Sequence, residues 1–258
     1  MGFVTFVSAG PGAADLITVR GLRALQRADV VLFDALTDPT LRDYAPDARW
    51  LDVGKRGFCD STAQSAINAT LVRAAREHAN VVRLKGGDAS VFGRLEEELA
   101  ALAEAGIGSE VVPGVTAALA AAAEARRPLT RRGAGRSVAL TTAMTREGEL
   151  QTANSAHIVD TEVFYMAGRQ LGQLARRLAD AGWATNTPVL VVSRAGCADA
   201  ITSDHDVASL AAASLLHRGR PTVVTVGVGA RAVASMPKRA PAAARQKADA
   251  RLVDTLND

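Results

Sequence analysis

The sequence predicts an α/β fold of two units built on mostly parallel sheets. Three observations lead there. Continuous apolar runs of strand length alternate with longer helical patterns along most of the 258 residues, as in a sheet covered on both faces. Two of the strand runs stop at glycine turns, one at Gly86-Gly87 and one at Gly10-Pro11-Gly12. Such turns let backbone approach a ligand closely, and they sit where parallel sheets bind ligands, beyond the strands' carboxyl ends. Finally, the alternation breaks once, over Pro128 to Arg136, where PLTRRGAGR is basic, glycine-containing and without period.

In chain order, Phe3 to Ala9 reads as a strand and Gly12 to Gln26 as a helix. Val30 to Phe33 is a strand ending at Asp34, and Arg49 to Val53 another, ending at Gly54-Lys55. Thr62 to His78 is helical, Asn80 to Leu84 a strand and Leu95 to Ala105 a helix. Glu110 to Val112 is a short strand followed by a helix over Thr116 to Ala125. Beyond the break come strands at Ser137 to Thr142, Glu162 to Met166, Pro188 to Ser193 and Pro221 to Val228. Helices over Gln170 to Ala181 and Val207 to Leu216 lie among them. These patterns divide the chain into units 1–130 and 131–230. Residues 231–258 form a basic tail, with Lys238, Arg239, Arg245, Lys247 and Arg251 among alanines.

Composition narrows the function. The chain is 48% hydrophobic, so it is globular. Aromatic residues make up only 4%, which leaves few stacking platforms for bases. A formal charge of +3 is too mild to imply nucleic acid and suits a polyanionic small molecule. Cys59 and Cys197 form no metal or redox spacing, and His78, His157, His205 and His217 are scattered, so no metal is expected. No apolar stretch reaches the roughly 18–20 residues that span a bilayer, and the start lacks a leader pattern. A reduced, cytoplasmic protein without membrane partners is expected.

The most informative stretch is VVRLKGGDASVFGR, from Val81 to Arg94. A strand halts at Gly86-Gly87, Asp88 follows at once, and Val91-Phe92-Gly93-Arg94 closes the turn. With it go the Val4 to Gly12 block, ADVVLFDALT (Ala28 to Thr37), DVGKRG (Asp52 to Gly57), VVPGVTAA (Val111 to Ala118) and VFYMA (Val163 to Ala167). In order and spacing these blocks resemble the tetrapyrrole methylase family, from about Phe3 to Gly229.

The resemblance implies two α/β domains with the active site in the cleft between them, and a homodimer. It also implies S-adenosylmethionine as methyl donor, released as S-adenosylhomocysteine, and uroporphyrinogen III as acceptor, giving precorrin-2. Carried over by motif, donor contacts fall on Pro11, Gly86, Gly87, Asp88, Val91, Thr116, Ala117, Met166 and Ala195. Catalytic roles fall on Asp34 and Lys55. Arg94 is a further candidate, as base or as carboxylate clamp; clamp is preferred because a guanidinium rarely gives up its proton. Glu97 can orient Arg94, and Arg56 and Arg131, with Arg132 and Arg136, can meet further substrate carboxylates. Three departures stand out. Ala89-Ser90 replaces a proline-led pair after GGD, Leu95 replaces a glycine after Gly93-Arg94, and Arg131-Arg132-Gly133-Ala134 replaces His-Arg-Asp-Tyr. They keep open methylation of another precorrin, or binding of donor or tetrapyrrole with little turnover.

Overall fold

The structure, a computed structural model, describes residues 2–54, 64–142 and 159–233. Its first sheet contains β1 (Phe3–Ser8), β2 (Val30–Phe33), β3 (Arg49–Asp52), β4 (Asn80–Lys85) and β5 (Ser109–Val112), in the order β3-β2-β4-β1-β5. Every pairing in it is parallel, so all its carboxyl ends share one edge. Alternate side chains enter opposite cores, as a period of two requires. Val4, Phe6, Val30 and Leu32 pack against Ile67 and Leu71 of α2 (Gln64–Glu77) and Leu102 of α3 (Leu95–Glu104). Val7, Val31, Val82 and Leu84 face Ala24 and Leu25 of α1 (Val19–Gln26).

The second sheet contains β6 (Val138–Thr142), β7 (Thr161–Tyr165), β8 (Pro188–Ser193), β9 (Ile201–Asp206) and β10 (Thr222–Gly227), in the order β6-β7-β10-β8-β9. Here the expectation of a mostly parallel sheet is corrected: only β6 and β7 run parallel, and the other pairings are antiparallel. The cause is local. β8 returns directly as β9 through residues 194–200 without a crossover helix, and such a hairpin forces the antiparallel sense. The sequence hides this because β10 is buried along its whole length. One face of the sheet is covered by α4 (Ala117–Ala125), which arrives from the first half of the chain. α5 (Leu171–Asp180) covers the other face.

Three further elements differ from the sequence reading. The expected helix over Gly12 to Gln26 is a 3₁₀ turn at Ala14–Leu16, an extended break, and then α1, capped by Thr18 Oγ1 accepting from Gly21 N at 3.2 Å. The expected helix over Val207 to Leu216 is a 3₁₀ turn at Leu210–Ala213 running into the short α6 (Ser214–His217). β9 was not foreseen, because ITSDHD has one large apolar residue and reads as a loop.

β9 and α6 are tied to the sheet by a buried imidazole. His217 Nδ1 lies 2.9 Å from Ser193 Oγ, and its Nε2 lies 2.8 Å from Ser203 Oγ. His205 Nε2 reaches the same Ser203 hydroxyl, and Arg220 Nε donates to Ser193. Burial, with His205 and Arg220 adding to it, pushes the His217 pKa below the ordinary 6.5. A depressed histidine stabilises the fold fully above its unfolded pKa and loses that contribution as pH falls below it. Stability should therefore fall as pH drops below 6.5, and His217→Gln should flatten that dependence. Denaturant titrations on both sides of that pH check it; parallel pH curves for the two proteins would refute it.

Candidate active site

The site is assembled where the carboxyl edge of the first sheet meets one edge of the second. Two turns of the first sheet join through backbone alone: Gly10 N donates to Gly87 O at 3.2 Å and Gly87 N to Gly10 O at 2.9 Å. Both residues have positive φ, 78° and 70°, and a Cβ at Gly87 would meet nothing within 4 Å. The Cα face of Gly87 is thus open for a ligand to approach closely, while its N–H and C=O are held by Gly10, at a conformation only glycine adopts cheaply.

Asp88 locks the next turn. Its Oδ2 accepts from Gly114 N at 2.8 Å, and its Oδ1 accepts from Ser90 N at 2.9 Å and from the Ser90 hydroxyl. Burial pushes its pKa up, but the Gly114 amide and the Ser90 donors outweigh burial and hold the carboxyl below the ordinary 3.8. Ser8 Oγ accepts from Ala89 N at 3.0 Å, so the 88–91 turn is fastened to β1 as well.

The second sheet contributes Tyr165, Met166 and the loop after β8. The Tyr165 phenol shares a 2.6 Å hydrogen bond with Thr116 Oγ1 and accepts from Ala118 N at 3.3 Å. Its ring meets Phe92 edge-on at 5.0 Å. Val91, Val115 and Ala117 pack with Tyr165 and Ala195 in one apolar cluster. On the opposite side, a Cβ at Gly196 (φ 81°) would collide with the Pro11 carbonyl, and Ala13 N donates to Gly196 O at 3.0 Å. The turns after β1 and β8 are therefore in direct contact. Cys197 sits in that junction, where burial pushes its thiol pKa up, away from a reactive thiolate.

Backbone strain gathers here. Among the described residues, the non-glycine residues with positive φ are Phe92, Arg94, Arg126, Met166 and Arg194. Arg126 ends α4; the other four border this site. Such conformations cost of order 1–3 kcal/mol each and gather where a ligand is held. Phe92 and Met166 are also 43% and 50% exposed, large apolar side chains presented at the sheet edges.

The structure thus brings together Pro11, Gly86, Gly87, Asp88, Val91, Thr116, Ala117, Met166 and Ala195 at the two sheet edges. Asp34 follows β2 directly and its N donates to Leu84 O of β4 at 3.3 Å, while Leu36 Cβ lies 3.4 Å from where a Gly86 Cβ would be. Arg94, at the N-terminus of α3, pairs bidentately with Glu97 at 2.7 Å for both bonds, with both side chains in water. Lys55 and Arg56 lie outside the described residues. Arg131 is not brought to this edge by any contact of its own: it closes a turn with Gly135, and its guanidinium caps the Arg231 carbonyl.

The sequence reading missed Tyr165 and a buried charge cluster under the site. Arg83 and Lys85 of β4 both meet Glu98 of α3, and Arg83 also holds Asp34. The signal was present: two cations at alternate positions of an otherwise apolar strand. Among the described residues, no group of three or more His, Cys, Asp and Glu side chains could hold a metal ion. Among them too, no helix is long and apolar enough to cross a membrane.

The residues present suit an adenosyl sulfonium. Small side chains and the bare Cα face of Gly87 leave room for ring and ribose to approach closely, and an apolar wall faces them. The family model for tetrapyrrole (corrin/porphyrin) methylases matches residues 4–211. A uroporphyrinogen-III C-methyltransferase of Pseudomonas aeruginosa is 39% identical over 92% of this chain and 97% of its own. A siroheme synthase of Actinobacillus succinogenes is 41% identical over 88% of this chain, but the match spans only 48% of that protein. Among solved structures, the uroporphyrin-III C-methyltransferase of Thermus thermophilus bound to S-adenosylhomocysteine superposes with a TM-score of 0.78 at 34% identity, covering 88% and 97% of the two chains. A cobalt precorrin-4 methyltransferase also reaches 0.78, at 30% identity over 89% and 96%. Matched by the family model over residues 4–211 and 39% identical to a member across 92% of its length, the chain belongs to the tetrapyrrole methylases.

Proposed function

We propose that this chain is an S-adenosylmethionine-dependent methyltransferase that C-methylates uroporphyrinogen III to precorrin-2. The observation that carries it is the donor cradle. Gly87 backbone, the Asp88-braced turn and the Val91, Ala117 and Ala195 wall meet at one edge. A likeness of 39% along 97% of a uroporphyrinogen-III C-methyltransferase supports the acceptor. The donor, when bound, supplies a methyl on a sulfonium, and the carbon–sulfur electron pair leaves with sulfur as S-adenosylhomocysteine.

The protein's part is alignment, exclusion of water and proton management. The turns around Gly87 and Ala195 fix the donor side, and Phe92 and Tyr165 shield it. The macrocycle attacks through a pyrrole carbon and afterwards sheds a proton to reach its product tautomer. Asp34, a carboxylate at the strand edge, is the acceptor for that proton in this reading, with Lys55 as its companion donor. The division into units 1–130 and 131–230, a cytoplasmic location and a homodimer belong to the same reading. Incubation with uroporphyrinogen III and donor, followed by absorbance of the oxidised dimethylated product, tests it. Absence of methyl incorporation, with donor binding intact, would favour the binding-only alternative. Light scattering should give a dimer at micromolar concentration; a monomer would remove that part.

Arg94 should separate acceptor handling from donor binding. Its ion pair with Glu97 is solvent-exposed, so it contributes little to folding. The same fork can pair with a substrate carboxylate. Arg94→Lys should leave stability within about 0.5 kcal/mol, yet raise the apparent KM for the tetrapyrrole or lower turnover, with donor affinity unchanged. Steady-state kinetics with a donor titration decide it; intact kinetics would return Arg94 to the surface.

A further inference from the structure

Beneath the site lies a cluster of ionised side chains that the proposed chemistry does not use. Arg83, Lys85 and Glu98 are almost wholly withdrawn from solvent, with 1–3% exposure. Asp34 is the one member that reaches water, with 30% of its side chain accessible. Every proton of the Arg83 guanidinium has an acceptor. Nε and Nη2 donate to Glu98 Oε1 at 3.2 and 3.1 Å, and Nη2 donates to Asp34 Oδ1 at 2.6 Å. Nη1 donates to the Leu84 and Leu32 carbonyls at 3.1 and 3.4 Å. Lys85 Nζ donates to both Glu98 oxygens at 3.0 Å, and Gln64 Nε2 adds a donor to Oε1 at 3.3 Å.

This arrangement has a direction. Glu98 is saturated by Lys85 and Gln64 from one side, and it grips Arg83 on the other. Arg83 is pinned further by two carbonyls of β2 and β4, so its remaining Nη2 bond has one orientation. That bond takes only Oδ1 of Asp34; Oδ2 accepts nothing from the described residues. Lys85 also lies directly under the loop of the site, since a Cβ at Gly93 would be 3.3 Å from its Cε.

Burying such a cluster is costly, and an apolar core of equal volume is commonly as stable. A fold that needed only packing here has a cheaper solution in leucine and methionine. A fixed cation behind one exposed carboxylate, by contrast, keeps that carboxylate aimed.

We propose that Arg83 is a positioning residue for methyl transfer, anchored by Glu98 and Lys85, and that it fixes Asp34 through Oδ1 so that Oδ2 is directed to the acceptor. This inference rests on the proposed role of Asp34. Other charged groups on the elements around Asp34 are Asp52 at the end of β3 and Asp38 and Arg42 after β2. α2 meets the cluster through the uncharged Gln64. Lys55 and Arg56 lie outside the described residues.

The test compares Arg83→Gln, Glu98→Gln and Asp34→Asn for kcat, for both KM values and for the pH dependence of kcat. S-adenosylhomocysteine titrations and melting curves serve as fold controls. Arg83→Gln removes the cation behind Asp34, so kcat should fall at least tenfold and its acid limb should move to higher pH. KM for S-adenosylmethionine should stay within twofold. Glu98→Gln removes the anion competing for the guanidinium, so the acid limb should move the other way, to lower pH. Opposite shifts cannot come from general loosening of the fold, and Arg83→Lys, which keeps a cation beside Glu98 but loses the guanidinium fork to Asp34, should also lower kcat with KM for S-adenosylmethionine unchanged and serves if Arg83→Gln does not fold. If Asp34→Asn is inactive but neither limb moves, the positioning role is overturned and the proposed chemistry stands. If Asp34→Asn turns over at the parent rate, both the role of Asp34 and this inference are overturned.

Discussion

Glu98→Leu is expected to cost about 3–5 kcal/mol of folding free energy, the scale for leaving buried charge without its partner. Glu98 is 1% exposed and neutralises Arg83 and Lys85 together. Leucine there leaves two buried cations facing one carboxylate, Asp34, which already has a foot in water. Lys85 has an escape. Burial and the neighbouring Arg83 already push its pKa down, so it can shed its proton. Arg83 has none, because a guanidinium stays charged, and the paired carboxylates raise its pKa further despite burial. Urea titration should show a lower midpoint at unchanged slope. The double variant Lys85→Met/Glu98→Leu should recover part of the loss, since removing an ion pair whole is far milder than halving it. A loss under about 1 kcal/mol would mean that the cluster behaves as a surface pair.

That cluster also shows what was legible in the sequence and what was not. The first sheet was readable because each of its buried strands is a short apolar run between helices, and parallel strands buried on both faces look like that. β8 and β10 look the same for a different reason: α4 and α5 sandwich an antiparallel stretch of sheet. A strand's composition reports burial and not direction, so the second sheet was read with the wrong sense. β9 is an edge strand whose ladder carries serine, aspartate and histidine, and no run marks it.

At the site, the glycine turn and its acid stood out because their chemistry is local to Gly86-Gly87-Asp88. Their partners did not. Asp88 meets Gly114, and Tyr165 meets Thr116, only because two sheet edges converge, and no spacing encodes that. Arg83 and Lys85 were visible as cations inside an apolar strand. Pairing them with Glu98 required knowing that α3 folds back over β4.

Asp88→Ala is expected to weaken S-adenosylhomocysteine binding by about 1–3 kcal/mol, which is roughly 5- to 150-fold in Kd. The sequence places this acid next to the donor; the geometry says that most of its work is done on the protein. Oδ2 takes the Gly114 amide and Oδ1 takes both Ser90 donors, so the carboxylate clamps the turn after β4 to the segment after β5. Gly114 leads directly into Val115, Thr116 and Ala117, and Thr116 is held in turn by Tyr165. Without the carboxylate, the Gly114 amide loses its acceptor and the two halves of the cradle are free to separate. Asp88→Asn keeps one acceptor oxygen for two sets of donors, so its loss should be intermediate. The pH dependence has a definite sign. A carboxyl held below 3.8 by these donors contributes fully above that value and loses its contribution only as pH falls through the lower, folded pKa. Donor affinity should therefore be flat across neutral pH in the parent protein, and the alanine variant should be weaker throughout that range. Calorimetry on both variants checks this. An alanine variant that folds and binds at the parent affinity would make Asp88 an ordinary solvated acid and would leave the open Cα face of Gly87 as the main determinant of the donor site.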